Sequence, residues 1–97
     1  MPAVIVSVYK NKDKACVQCD ATLKKLRQLE IDHRLVAYTE GDEDHHYVTQ
    51  ELGLIGAPGV VVEVDGKVHE SWGGNRPDRL TGIQALLRDP DQEDEAA

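Results

Sequence analysis

Ninety-seven residues, 40% hydrophobic and 30% charged, suit one compact soluble domain and leave too little chain for two ordinary cores. The net charge is −7, but residues 89–97 hold five acids and no base, so residues 1–88 carry 13 acids against 11 bases and a net −2. Without clustered Lys and Arg the chain is unsuited to nucleic acid, and no apolar run reaches the ~18 residues of a membrane span.

With no Phe, the aromatic inventory is Trp72, Tyr9, Tyr38 and Tyr47, so the core has to be built from Val, Leu, Ile and Ala. Residues 4–9 form a β-branched apolar run that predicts a buried strand, followed by a polar loop over 10–14. Val17, Ala21, Leu23, Leu26 and Leu29 approximate a helical stripe over 15–29, and residues 32–38 read as a second strand. The acids of 41–44 suit a helix start, with the helix continuing over 45–52 to Gly53. Residues 60–64, the Asp65-Gly66 turn and residues 67–71 give a hairpin. Asn75 is the expected cap of a last helix that has Pro77 in its first turn and runs to about Arg88. The order is β-α-β-α-β-β-α, with parallel pairing early and the hairpin as an antiparallel edge. One domain over 1–88 and a disordered acidic tail over 89–97 are expected.

The most informative feature is Cys16-Val17-Gln18-Cys19, which holds both cysteines of the chain. It falls at the expected strand-to-helix turn, where backbone N–H groups and the helix dipole favour a thiolate on the first sulfur. A thiolate there can attack a disulfide, and the second thiol, one turn further in, can release the mixed disulfide. Cys16 is therefore the expected nucleophile and Cys19 the buried resolving thiol. Val17 and Gln18 lack acid–base capacity and would tune contacts and potential. Lys12 and Lys14 could add favourable charge, opposed by Asp13 and Asp20. Residues 1–9 have no basic n-region, so the expected address is the reducing cytoplasm, where such a pair is catalytic or metal-binding rather than a staple. A structural zinc site would need two further ligands from His33, His45, His46 and His69, which lack the usual spacing and read as surface residues.

Three segments together resemble the NrdH-redoxins, glutaredoxin-like members of the thioredoxin-fold superfamily. Cys16-Val17-Gln18-Cys19 equals that family's usual active-site tetrapeptide, and Ala57-Pro58 falls where the fold keeps a cis-proline facing the site. Trp72-Gly73-Gly74-Asn75-Arg76-Pro77-Asp78 is similar to its Trp-Ser-Gly-Phe-Arg-Pro-Asp segment. The departures are the absence of a Pro shortly before Cys16, Gly73 for Ser, Asn75 for Phe, and Gly59 where an apolar residue is commoner.

The resemblance implies an α/β thioredoxin fold with a four-stranded mixed sheet flanked by three helices. It implies a monomeric dithiol–disulfide oxidoreductase that donates electrons to class Ib ribonucleotide reductase and is recharged by thioredoxin reductase. No cofactor would be bound, and NADPH would act indirectly through the reductase. Ala57, freed by a cis Pro58, would meet the incoming peptide, and the Trp72–Arg76 segment would be tied beside the site, obstructing the groove where glutaredoxins hold glutathione. On the residues alone Trp72 also reads as a core aromatic and Arg76 as cover for the last helix. Two alternatives stand beside this reading: a glutaredoxin using glutathione or another small thiol, and a non-enzymatic zinc-binding or interaction module using the two cysteines.

Overall fold

The computed structural model describes residues 3–88. The acidic stretch read as a tail, 89–97, lies outside the described residues. The elements are β1 (Val4–Asn11), α1 (Val17–Gln28), β2 (Arg34–Tyr38), α2 (Glu43–His46) continuing as a π-helical turn (Tyr47–Glu51), β3 (Gly59–Val64), β4 (Lys67–Gly73) and α3 (Pro77–Arg88). The order is the one expected from the sequence.

The strands form one mixed sheet in the order β2-β1-β3-β4. β1 pairs parallel with β2 and antiparallel with β3, and β3 pairs antiparallel with β4. As expected, the β3–β4 hairpin adds an antiparallel edge to the parallel β1–β2 pair, with β4 outermost and β3 inside the sheet. Val60, Val61 and Val62 of β3 are all fully buried. An uninterrupted apolar run suits a strand covered on both faces.

On one face Val6, Val8, Val60, Val62 and Trp72 pack with Leu26 of α1, Ile31, and Leu80 and Ile83 of α3. On the other, Tyr9 and Val61 meet Val48 of the π-helical turn.

Two local expectations are corrected. Cys16, with extended backbone (φ −145°, ψ 100°), caps α1, so Val17 opens the helix and is 84% exposed rather than part of the apolar stripe. The buried stripe is Cys19, Thr22 and Leu26. The second helix starts within the expected 41–44 segment, capped by Asp42. Its Oδ1 accepts the His45 N–H at 2.9 Å and its Oδ2 the Thr39 N–H at 2.8 Å, bonds that hold its carboxyl below the ordinary Asp value. Asn75 does not cap α3. The Arg76 carbonyl accepts the N–H groups of Arg79 at 3.0 Å and Leu80 at 3.2 Å, which places the helix start one residue later.

Candidate redox site at the start of the first helix

Cys16 and Cys19 form a disulfide with their Cα atoms 5.2 Å apart. Position divides the two sulfurs. Cys19 is fully buried in the stripe of α1, while Cys16, at the cap, is partly exposed. The Cys19 N–H donates to Cys16 Sγ at 3.0 Å. A backbone N–H directed at the sulfur, together with the positive end of α1, favours the thiolate of Cys16 once the pair is reduced. Among the described residues the buried polar side chains are Ser7 and Thr22, so no buried carboxylate or amine stands beneath Cys19 as a base.

The Ala57–Pro58 peptide is cis, as expected, and Pro58 is buried. The β4–α3 turn is bound tightly to this loop and to α1. Gly74 N–H donates to the Pro58 carbonyl at 2.8 Å. The Asn75 N–H donates to Gln18 Oε1 at 3.2 Å, and Asn75 Oδ1 accepts from the Thr22 hydroxyl at 3.1 Å. A Cβ on Gly73 would run into the Ile55 carbonyl, its carbon only 2.8 Å away, so Gly73 is required by close approach of the two backbones. The segment is thus tied beside the cysteines as the resemblance implied, but through Gly74 and Asn75.

Trp72 and Arg76 stand elsewhere. Trp72 is 5% exposed, packed in the core with its Nε1 lacking a hydrogen-bond partner and the Arg79 guanidinium 5.5 Å from its ring centre. An indole held that way offers a docking protein almost no surface. Arg76 grips Asp78 through Nε–Oδ1 at 3.3 Å and Nη2–Oδ2 at 3.2 Å, and this guanidinium holds the Asp78 carboxyl below its ordinary value. Ala57 lines the open side of the site, and Val17 and Ile55 (89% exposed) are apolar side chains left in solvent near it.

On the α2 side of Cys16 lies a cavity of about 330 Å³. Its lining includes Cys16, Glu40, His45, Val48, Leu54 and Gly59. Lys14, considered from the sequence as a charge for the thiolate, reaches Glu40 at 3.8 Å, both side chains being about 70% exposed. His45, expected at the surface, is half-buried. Its Nδ1 accepts the Gly41 N–H at 2.9 Å and its ring stacks at 5.3 Å on Tyr38, whose hydroxyl is pushed up by burial and then by Asp42 and Glu40. Among the described residues no three His, Cys, Asp or Glu side chains converge on a metal position. Neither Gly59 nor the α2 residues stand out in the sequence as cavity-lining, although glycine inside a strand is a signal of close approach by something else.

No protein-family model matches the chain, and no curated protein matches it. Solved structures do. The glutaredoxin-like protein NrdH-redoxin from Escherichia coli superimposes with a TM-score of 0.63 at 23% identity, over 80% of this chain and 92% of that one. Chlamydomonas reinhardtii thioredoxin f2 gives 0.61 at 14% identity, over 90% and 80%. A chain from a complex of ferredoxin:thioredoxin reductase with thioredoxin f2 gives 0.60 at 18% identity, over 88% and 77%. At these identities the likeness is one of fold.

Proposed function

We propose that this thioredoxin-fold chain is a dithiol–disulfide oxidoreductase that carries electrons between proteins. The observation that carries the reading is the Cys16–Cys19 disulfide at the cap of α1, with Cys16 open to solvent and Cys19 enclosed. In the reduced protein the Cys16 thiolate attacks one sulfur of a substrate disulfide, forming a mixed disulfide and releasing the other substrate sulfur as a thiolate. The Cys19 thiol gives up its proton and attacks Cys16, re-forming the internal disulfide and releasing the second substrate thiolate. The carrier gives up two electrons and the Cys19 proton; the substrate takes the electrons, and its thiolates take that proton and one from solvent.

We assign thioredoxin reductase as the electron source, drawing on NADPH, and ribonucleotide reductase as the substrate, with the carrier working as a cytoplasmic monomer. Three things support this finer assignment: the identity of the tetrapeptide with that of the NrdH-redoxins, the likeness to the E. coli member, and the contact of Gly73 and Gly74 with residues 55–58. A contact of this kind is what the resemblance implies for a segment that obstructs the groove where glutaredoxins hold glutathione.

The test compares NADPH consumption by the oxidised protein with cognate thioredoxin reductase and with glutathione plus glutathione reductase. Turnover with thioredoxin reductase alone is expected, and ribonucleotide reductase then becomes the substrate to assay. Turnover with glutathione alone would overturn the assigned electron source.

A further inference from the structure

Reduction parts the two sulfurs and oxidation brings them together again, and the chain gives Cys16 and Cys19 unequal freedom to make that movement. Cys16 is the cap of α1, with extended backbone and a side chain partly in solvent. Among the described residues, the hydrogen bond to its sulfur is the Cys19 N–H, which comes from within the same turn. Cys19 is fully buried, and the helix on either side of it is gripped from outside. Gln18 and Thr22 share one face of α1, a single turn apart. Asn75 spans them: its N–H donates to Gln18 Oε1 at 3.2 Å and its Oδ1 accepts the Thr22 hydroxyl at 3.1 Å.

Asn75 is itself anchored. The Gly74 N–H donates to the Pro58 carbonyl at 2.8 Å, and Gly73 lies so close to the Ile55 backbone that a Cβ would not fit. On its other side α3 begins at Pro77. The grip therefore ties the turn carrying Cys19 to the sheet and to the loop of the cis peptide. The Thr22 hydroxyl is fully buried in a helix and has to be paired, so the oxygen at position 75 answers a fixed demand from α1.

We infer that Asn75 is a positioning residue for Cys19: it holds the resolving thiol in place, so that Cys16 makes the movement between dithiol, mixed disulfide and internal disulfide. This role rests on the dithiol chemistry proposed above. A thiol held beside the sulfur it attacks acts at a high effective concentration. The grip thus speeds the step that releases substrate, and it favours the internal disulfide over the open dithiol, making the carrier a stronger reductant. The first attack, by Cys16, needs no movement of Cys19 and does not depend on it.

The test follows reduced protein mixed with 5,5′-dithiobis(2-nitrobenzoate) by stopped flow. Cys16 attack breaks the reagent's S–S bond, releasing one thionitrobenzoate and leaving the other half on Cys16. Cys19 then loses its proton and attacks Cys16, releasing the second. The first phase rises with reagent concentration and the second does not. Asn75→Ala and Thr22→Val should each slow the second phase about tenfold and leave the first within about twofold of wild type. In glutathione redox buffers both should lower the equilibrium constant for disulfide formation at least about threefold. Asn75→Asp keeps an oxygen for the Thr22 hydroxyl and should retain most of the wild-type second phase. Gln18 is exposed, so Gln18→Leu cuts the other bond and supplies the test even if Asn75→Ala does not fold. Gln84 Nε2 donates to the Leu29 carbonyl at 3.0 Å, joining α3 to the far end of α1. Gln84→Ala should therefore lower stability while leaving both phases unchanged. A second phase or an equilibrium constant unchanged in both Asn75→Ala and Gln18→Leu would overturn the inference. So would a first phase slowed as much as the second, or an equal slowing by Gln84→Ala. A reduced wild type that keeps the aromatic label on its cysteines instead of closing the disulfide would sink the dithiol reading beneath it.

Discussion

The hydroxyl of Thr22, fully buried on α1, donates to the side-chain carbonyl of Asn75 at 3.1 Å across 53 residues of sequence. Through this bond the turn before α3 is fastened to the helix that carries Cys19. Removing the acceptor by Asn75→Ala leaves a buried hydroxyl unpaired, which costs about 1–3 kcal/mol. Adding Thr22→Val should recover part of that loss, since both partners are then gone. Urea unfolding of the two single variants and the double variant measures the coupling, and strictly additive losses would show that the bond contributes nothing.

The unequal burial of the two sulfurs predicts unequal reactivity. In the reduced protein iodoacetamide should alkylate Cys16 at least about tenfold faster than Cys19, by mass of the labelled peptides. Cys16→Ser should abolish disulfide reduction. Cys19→Ser should leave the attack intact and accumulate a mixed disulfide with the substrate, visible on a non-reducing gel. Equal labelling of both thiols would contradict the assigned roles.

Two glycines offer a matched comparison. Gly73→Ala drives a methyl group into the Ile55 carbonyl and must displace the 54–57 loop or β4, so a loss of about 1–3 kcal/mol and slower turnover are expected. Gly82 lies in α3 with open space for 4 Å around the point a methyl group would occupy, and Gly82→Ala should add about 0.5–1 kcal/mol through helix propensity alone. Thermal unfolding of both variants checks the opposite signs.

Asp42 links acid to the α2 end of the site. Its folded pKa lies below the unfolded value because the N–H groups of His45 and Thr39 bond the carboxylate. Its stabilising contribution is therefore complete above the ordinary Asp range and is lost as pH falls through the depressed folded value. Asp42→Ala should lower the melting temperature at neutral pH, and the gap to wild type should hold down to the ordinary Asp range, about pH 4, and narrow as pH is lowered from there to about pH 2. A gap constant over that interval would show that the cap bonds do not operate through charge.

The element order and the placing of the cysteines are legible in the sequence because they depend on local signals. A β-branched run, a helical stripe and an Asp-Gly hairpin each act within a dozen residues. Asn75 misleads for the same reason: its local context suits a cap, and its actual partners, Gln18 and Thr22, sit on a distant helix. The cavity is hidden more deeply, since its lining gathers Cys16, Gly59 of β3 and a π-helical turn in which Thr49 Oγ1 bonds the His45 carbonyl at 2.7 Å. Tertiary packing, rather than propensity, decides each of these.

The sheet ends on β2 and β4, and an unpaired strand edge is a template on which another chain can grow. β2 is only five residues long and opens with Arg34, while β4 presents Lys67, His69 and Glu70, and the register slips between Val62 and Glu63 of its neighbour β3. Short length, charge and a slipped register all discourage edge-to-edge assembly. The molecule can then be crowded among its own copies without stacking into fibres, and its productive encounters are left to the cysteine end.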